Sequence, residues 1–152
     1  SGKVNELILN QALDNYSENT YNSFSPISFD IKDFDISFVR GLSLEDGAAT
    51  LTALVAAAVA KGVDLLPVRP TQLIVSGGGR KNLTMMREIS IRAHIKVETA
   101  DRYNWRGDAI EAECFAFLAA RTLANLPISY PKTTGVAEPM TGGVIAHKIF
   151  NA

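Results

Sequence analysis

The sequence predicts an α/β fold, and three observations predict it. Segments with helical spacing alternate with short apolar runs along the chain. One such run, Leu73, Ile74 and Val75, stops at Ser76 and three consecutive glycines, and Asn82 then opens a segment with Leu83, Met86 and Ile89 at helical spacing. A second run, IKVET at 95–99, alternates as a half-buried strand does.

In order along the chain, residues 4–13 place Val4, Leu7, Ile8 and Ala12 on one face, the pattern of a short amphipathic helix. Residues 14–35 are polar and aromatic with little periodicity, and 14–42 as a whole is expected to be a long surface loop holding Tyr16, Tyr21, Phe24, Phe29 and Phe34. The strongest helix is predicted over 43–66. Ser43 is a good N-cap, with Asp46 in capping-box position. Every residue from Ala48 to Ala60 is apolar or Thr, so this helix is buried on most sides or lies at an interface. Pro67 and Pro70 end it. After the glycine turn, a helix is expected over 82–93 and a strand over 95–99. A third long helix follows over 108–126, broken by Pro127 and Pro131. Residues 135–141 read as a loop and 142–149 as a final strand. No internal repeat or linker divides the sequence, so 1–152 is expected to be a single lobe.

Composition narrows the function classes. At 152 residues the chain can bury one core. A formal net charge of −1 gives no electrostatic case for nucleic acid or an anionic membrane surface. The longest uncharged run, 47–60, is expected to be too short and too rich in Ala and Thr to cross a bilayer. No signal peptide is recognisable at the N-terminus, so the expectation is a cytoplasmic protein. The single cysteine, Cys114, sits in an apolar helical pattern and reads as an inert core thiol. His94 and His147 lack zinc-site spacing.

The glycine turn carries the chemistry. Without a Cβ in the way, backbone can approach a ligand closely, and its N–H groups favour phosphate or a nucleotide. SGGGRKN is not a P-loop. A dinucleotide fold is a rival: Gly77 and Gly79 give G-x-G, and Glu98 ends the next strand where a ribose-binding acid would stand. Against it, Asn82 occupies the place of the third small residue. A tight turn with no ligand is the remaining alternative.

SGGGRKN, a helix with Met85 and Met86, VETADRYNWRGDAIEAECFAFLAARTL and NLPISYPKTTG together resemble the C-terminal half of the anhydro-N-acetylmuramic acid kinases. These belong to the sugar-kinase, Hsp70 and actin superfamily. Upstream, SGKVNELIL, SPISFDIKDF and GLSLEDGAATLTAL look like family segments too, so the resemblance covers essentially the whole chain. It implies an RNase H-like C-terminal lobe of the actin-like ATPase superfamily, a sheet flanked by long helices, working with ATP and Mg2+. Gly77, Gly78 and Gly79 would lie against the adenosine and phosphates, with Asn82 beside them as cap of the next helix.

The substrate implied is 1,6-anhydro-N-acetylmuramic acid, phosphorylated while water opens its anhydro bridge. Glu111 matches the family glutamate that reaches this sugar. It shares a helix face with Phe115, Leu118 and Thr122, whereas Glu113 points the opposite way. Asp108 and Glu111 equally form a capping box. Thr134 and Gly135 match a late T-G step that either lines the nucleotide cleft or makes a turn.

The family's loop Lys in P-K-S is Ile27 here, and the Arg a few residues later is Ile31. The G-x-D-T-G-P-G-N segment with the catalytic aspartate does not occur in these residues. No carboxylate present, Asp101 and Asp108 included, matches that base. The resemblance therefore implies a C-terminal lobe, inactive alone, that works with an N-terminal lobe and in a homodimer. A non-catalytic dimerisation or nucleotide-sensing module is the alternative, motivated by the Ala-rich helix at 48–60. A dinucleotide-dependent oxidoreductase using Glu98 ranks below both.

Overall fold

A computed structural model describes residues 2–20 and 35–146, without the side chains of 16–20. They fall into two compact units, Ser1–Asp108 and Ala109–Ala152.

In the first unit, α1 runs over Glu6–Thr20. Asn5 starts it, its side-chain oxygen accepting from the Ile8 amide at 3.1 Å. The helix passes Leu13, so the first part of the expected 14–42 loop is helical. Polar Asn15, Ser17 and Asn19 give little apolar periodicity, yet nothing there breaks a helix. Residues 21–34, including Ile27 and Ile31, lie outside the described part. A short 3-10 turn at Ser37–Val39 precedes α2, Leu44–Asp64.

Ser43 caps α2 as expected, accepting from the Asp46 amide at 3.1 Å. The reciprocal half of the capping box is absent, because the Asp46 carboxylate accepts from the Lys3 amide instead, at 2.7 Å. By length and composition alone α2 could cross a membrane, which corrects the expectation of too short a run. Eight of its residues are buried in the unit instead. Ala53 and Leu54 pack with Leu9 and Ala12 of α1, and Ala60 packs with Ala93 and Ile95. Small side chains at these positions let the neighbouring backbone come close. The buried Thr50 hydroxyl is satisfied twice, donating to Asp46 O at 2.7 Å and accepting from the Asn5 amide at 3.0 Å.

Strand β1, Gln72–Val75, leads through a 3-10 turn at Gly78–Lys81 to α3, Leu83–Ala93. Strand β2, Lys96–Thr99, pairs parallel with β1, Gln72 opposite Lys96 and Val75 opposite Thr99. This βαβ unit places the glycine turn beyond the carboxyl end of β1, where open α/β sheets take ligands. The α/β class holds, with a parallel sheet of two strands among the described residues.

In the second unit, α4 covers Ile110–Leu123 and α5 covers Pro131–Thr134. An antiparallel bridge joins Ser129 and Met140. Residues 142–146 form no strand, and Val144 is 95% exposed. The remainder of the expected strand, 147–149, is outside the described residues. Among the described residues none of α4 is buried, and Cys114 is exposed, which corrects its reading as a core thiol.

Candidate functional site

The candidate site is built on the glycine turn. Gly77 takes φ 73° and ψ −176°, a conformation that only glycine adopts without strain. Gly78 differs: its φ is not positive, and a Cβ placed on it would meet nothing within 4 Å. Neither backbone conformation nor packing in this chain therefore requires glycine at 78. Gly79 is likewise loosely packed, with Met85 Sδ at 3.5 Å from where its Cβ would be. The first 3-10 bond runs from the Arg80 amide to Gly77 O at 3.4 Å, leaving the Gly78 and Gly79 amides ahead of it. Asn82 caps α3 as expected, its side-chain oxygen accepting from the Met85 amide at 3.1 Å.

Behind the turn stands a group that the sequence reading passed over. Arg80 is only 6% exposed and donates four hydrogen bonds from its guanidinium. Nε and Nη2 reach Asp101 at 2.6 and 3.1 Å, and Nη1 reaches both Asp108 at 2.6 Å and Gly77 O at 2.8 Å. Lys81 completes the cluster, its Nζ 2.8 Å from the second Asp108 oxygen. Hydrogen bonds from Arg80 and then Lys81 hold the Asp108 carboxyl far below the usual carboxylate range, and the Arg80 bond lowers Asp101.

Gly107 is the counterpart of Arg80. A Cβ there would stand 2.3 Å from Arg80 Nε and 2.7 Å from Cζ, so only glycine lets the backbone lie on the guanidinium. Its carbonyl accepts from the Gly77 amide at 2.8 Å. In sequence the only signal was an Arg directly after the glycines and a G-D step 27 and 28 residues on; the pairing is purely tertiary.

Asp108 therefore does not form the capping box with Glu111. The N-cap of α4 is Ala109, with no side-chain cap, because the Asp108 carboxylate is taken by Arg80 and Lys81. Glu111 lies in the first turn of α4, exposed. The face assigned to it by wheel geometry is present further along: Phe115, Leu118 and Thr122 line a shallow apolar groove with Ile128 and Val144. Glu111 is not among its lining residues. Thr134 and Gly135 make a turn, Gly135 closing α5 at φ 73° while the Thr134 hydroxyl bonds Ser129 and Tyr130 O. Glu98, the acid of the dinucleotide alternative, is engaged by Lys96 at 2.8 Å and Arg102 at 3.3 Å.

Comparison with known proteins identifies relatives of this chain. A profile of the anhydro-N-acetylmuramic acid kinase family matches residues 1–148. A protein of Rhizobium rhizogenes described as an anhydro-N-acetylmuramic acid kinase is 53% identical over 147 residues, covering 96% of this chain and 38% of the relative. Similarly described proteins of Mesorhizobium japonicum and Caulobacter vibrioides are 55% identical over 121 residues and 48% identical over 145 residues. They are covered over 33% and 38% of their lengths. The chain thus spans little more than a third of the curated relatives it matches.

Proposed function

The chain belongs to the anhydro-N-acetylmuramic acid kinase family, and from that premise we propose that it is the C-terminal, nucleotide-binding lobe of an ATP-dependent kinase. The kinase would open 1,6-anhydro-N-acetylmuramic acid and phosphorylate it to the 6-phosphate, in the cytoplasm and as a homodimer. The lobe would have the RNase H-like fold of the actin-like ATPase superfamily.

One observation carries the reading. Gly78 is a glycine that the fold does not need, in a turn with open space beside it and with the Gly78 and Gly79 amides preceding the first 3-10 bond. Close approach of a ligand gives it a reason. The residues fit ATP on this count. Gly77 sets the turn, Gly78 and Gly79 leave room for adenosine and phosphate, and Asn82 fixes the start of α3 beside them. Mg2+ would come with the polyphosphate, held by oxygen ligands. Bound ATP with Mg2+ supplies the phosphoryl group and neutralises its charge.

Glu111 is the residue proposed to orient the sugar, as an exposed carboxylate able to accept from sugar hydroxyls. The base that activates water is assigned to the N-terminal lobe, since Asp101 and Asp108 are committed to Arg80 and Lys81. The alternative is a non-catalytic dimerisation or nucleotide-sensing module; burial of Ala53, Ala56, Ala57 and Ala60 within the unit leaves less of the Ala-rich helix for a partner, and sedimentation of the isolated chain as a strict monomer would remove the dimerisation motive. The test is phosphoryl transfer from ATP to the anhydro sugar. The full-length protein carrying this segment is expected to form the 6-phosphate, and the isolated chain to form none. A full-length protein that leaves the anhydro sugar unchanged would exclude the substrate, and turnover by the isolated chain would exclude the missing-base argument.

A further inference from the structure

We infer that Arg80 is a positioning residue for the nucleotide: its buried guanidinium, seated on the Gly107 backbone, fixes the conformation of Gly77 and with it the direction of the Gly78 and Gly79 amides. The inference rests on reading the turn as a nucleotide cradle, and extends it to what holds the cradle in shape.

A buried cation is costly unless its donors are satisfied. All four of the Arg80 guanidinium bonds go to groups of the chain, two to Asp101, one to Asp108 and one to Gly77 O, so its donors are engaged within the protein. Gly77 is consequently pinned on both backbone groups. Its amide donates to Gly107 O at 2.8 Å, and its carbonyl accepts from Arg80 Nη1 at 2.8 Å. Gly77 is also the one residue of the turn with positive φ, so its conformation sets the course of the next two residues. Gly107 cannot be replaced without moving Arg80, because any Cβ would fall on Nε and Cζ. Arg80, Gly107 and the two aspartates therefore act as one clamp, which joins the glycine turn to the segment after β2. A lysine cannot take the place of Arg80, since a point charge on a flexible stem cannot fork between two carboxylates and a carbonyl.

The experiment is a titration of the full-length protein with the non-hydrolysable analogue AMP-PNP in Mg2+, and separately with the anhydro sugar. Arg80→Gln is expected to weaken AMP-PNP binding about tenfold and Arg80→Lys to recover little of it, as misplacement of a preorganised donor does. Sugar affinity should stay within about twofold of wild type for both, a selectivity that a general loss of structure would not produce. Unchanged AMP-PNP affinity in folded Arg80→Gln overturns the inference, as do equal losses for nucleotide and sugar. Should Arg80→Gln not fold, Asp108→Asn decides, its carboxylate being exposed. A loss of AMP-PNP affinity on the order of threefold, with sugar affinity kept, supports the clamp, and no loss overturns it. A wild-type protein that binds no AMP-PNP overturns the cradle itself, an outcome distinct from a failure of the clamp.

Discussion

Gly78→Ala separates what the fold requires from what a ligand requires. In this chain the added methyl would meet nothing within 4 Å, and the backbone at 78 is not in the left-handed region. The substitution should therefore be neutral to folding or stabilise it by about 0.4–1 kcal/mol, the usual effect of removing glycine freedom from the unfolded chain at a compatible position. The methyl stands about 1.5 Å out from Cα, in the open space that the cradle reading assigns to the nucleotide. A displacement of that size should weaken nucleotide binding at least about tenfold, or ~1.4 kcal/mol. Gly77→Ala is the contrast. At φ 73° and ψ −176° an alanine is strained by about 1–3 kcal/mol, so stability and binding should fall together. Both variants would be followed in the full-length protein by thermal unfolding and by titration with AMP-PNP in Mg2+. A Gly78→Ala protein that keeps its melting temperature and binds AMP-PNP as tightly as wild type would refute the cradle reasoning.

Glu111→Gln should raise KM for the anhydro sugar with little change in KM for ATP and no loss of stability, since the side chain is exposed; steady-state kinetics with each substrate varied checks this. Asp101 and Asp108 have carboxyl pKa values lowered from 3.8 in the fold, so they contribute stability that is present above the unfolded value and lost as pH falls below it. Melting temperature followed from pH 7 downward (on the order of four pH units) should fall less steeply below about pH 4 in Asp101→Asn/Asp108→Asn than in wild type. Leu9→Ala removes a fully buried side chain between α1 and α2 and should destabilise the first unit by about 2–5 kcal/mol, read from denaturant unfolding.

Local signals made much of this legible. Ser43 and Asn82 were readable as caps because their side chains act on amides three residues on. The strand, glycine turn and helix at 72–93 followed from period and punctuation. What escaped depended on partners far along the chain. Asp46 and Asp108 both stood in capping-box positions, and both carboxylates were claimed from elsewhere, by the Lys3 amide and by Arg80 with Lys81. Neither Arg80 nor Gly107 carries a local signal of its role. Only their tertiary meeting makes each indispensable to the other. Cys114 failed for the opposite reason: α4 has the periodicity of a buried helix, yet among the described residues none of its side chains is buried, so a core assignment does not follow from pattern alone.

The most direct test of the central claim is hydrogen–deuterium exchange on the full-length protein, with and without AMP-PNP in Mg2+. The cradle predicts that nucleotide slows exchange at the amides of Gly78, Gly79 and their neighbours through Asn82. Nucleotide-dependent protection elsewhere, with residues 77–82 exchanging at an unchanged rate, would contradict it.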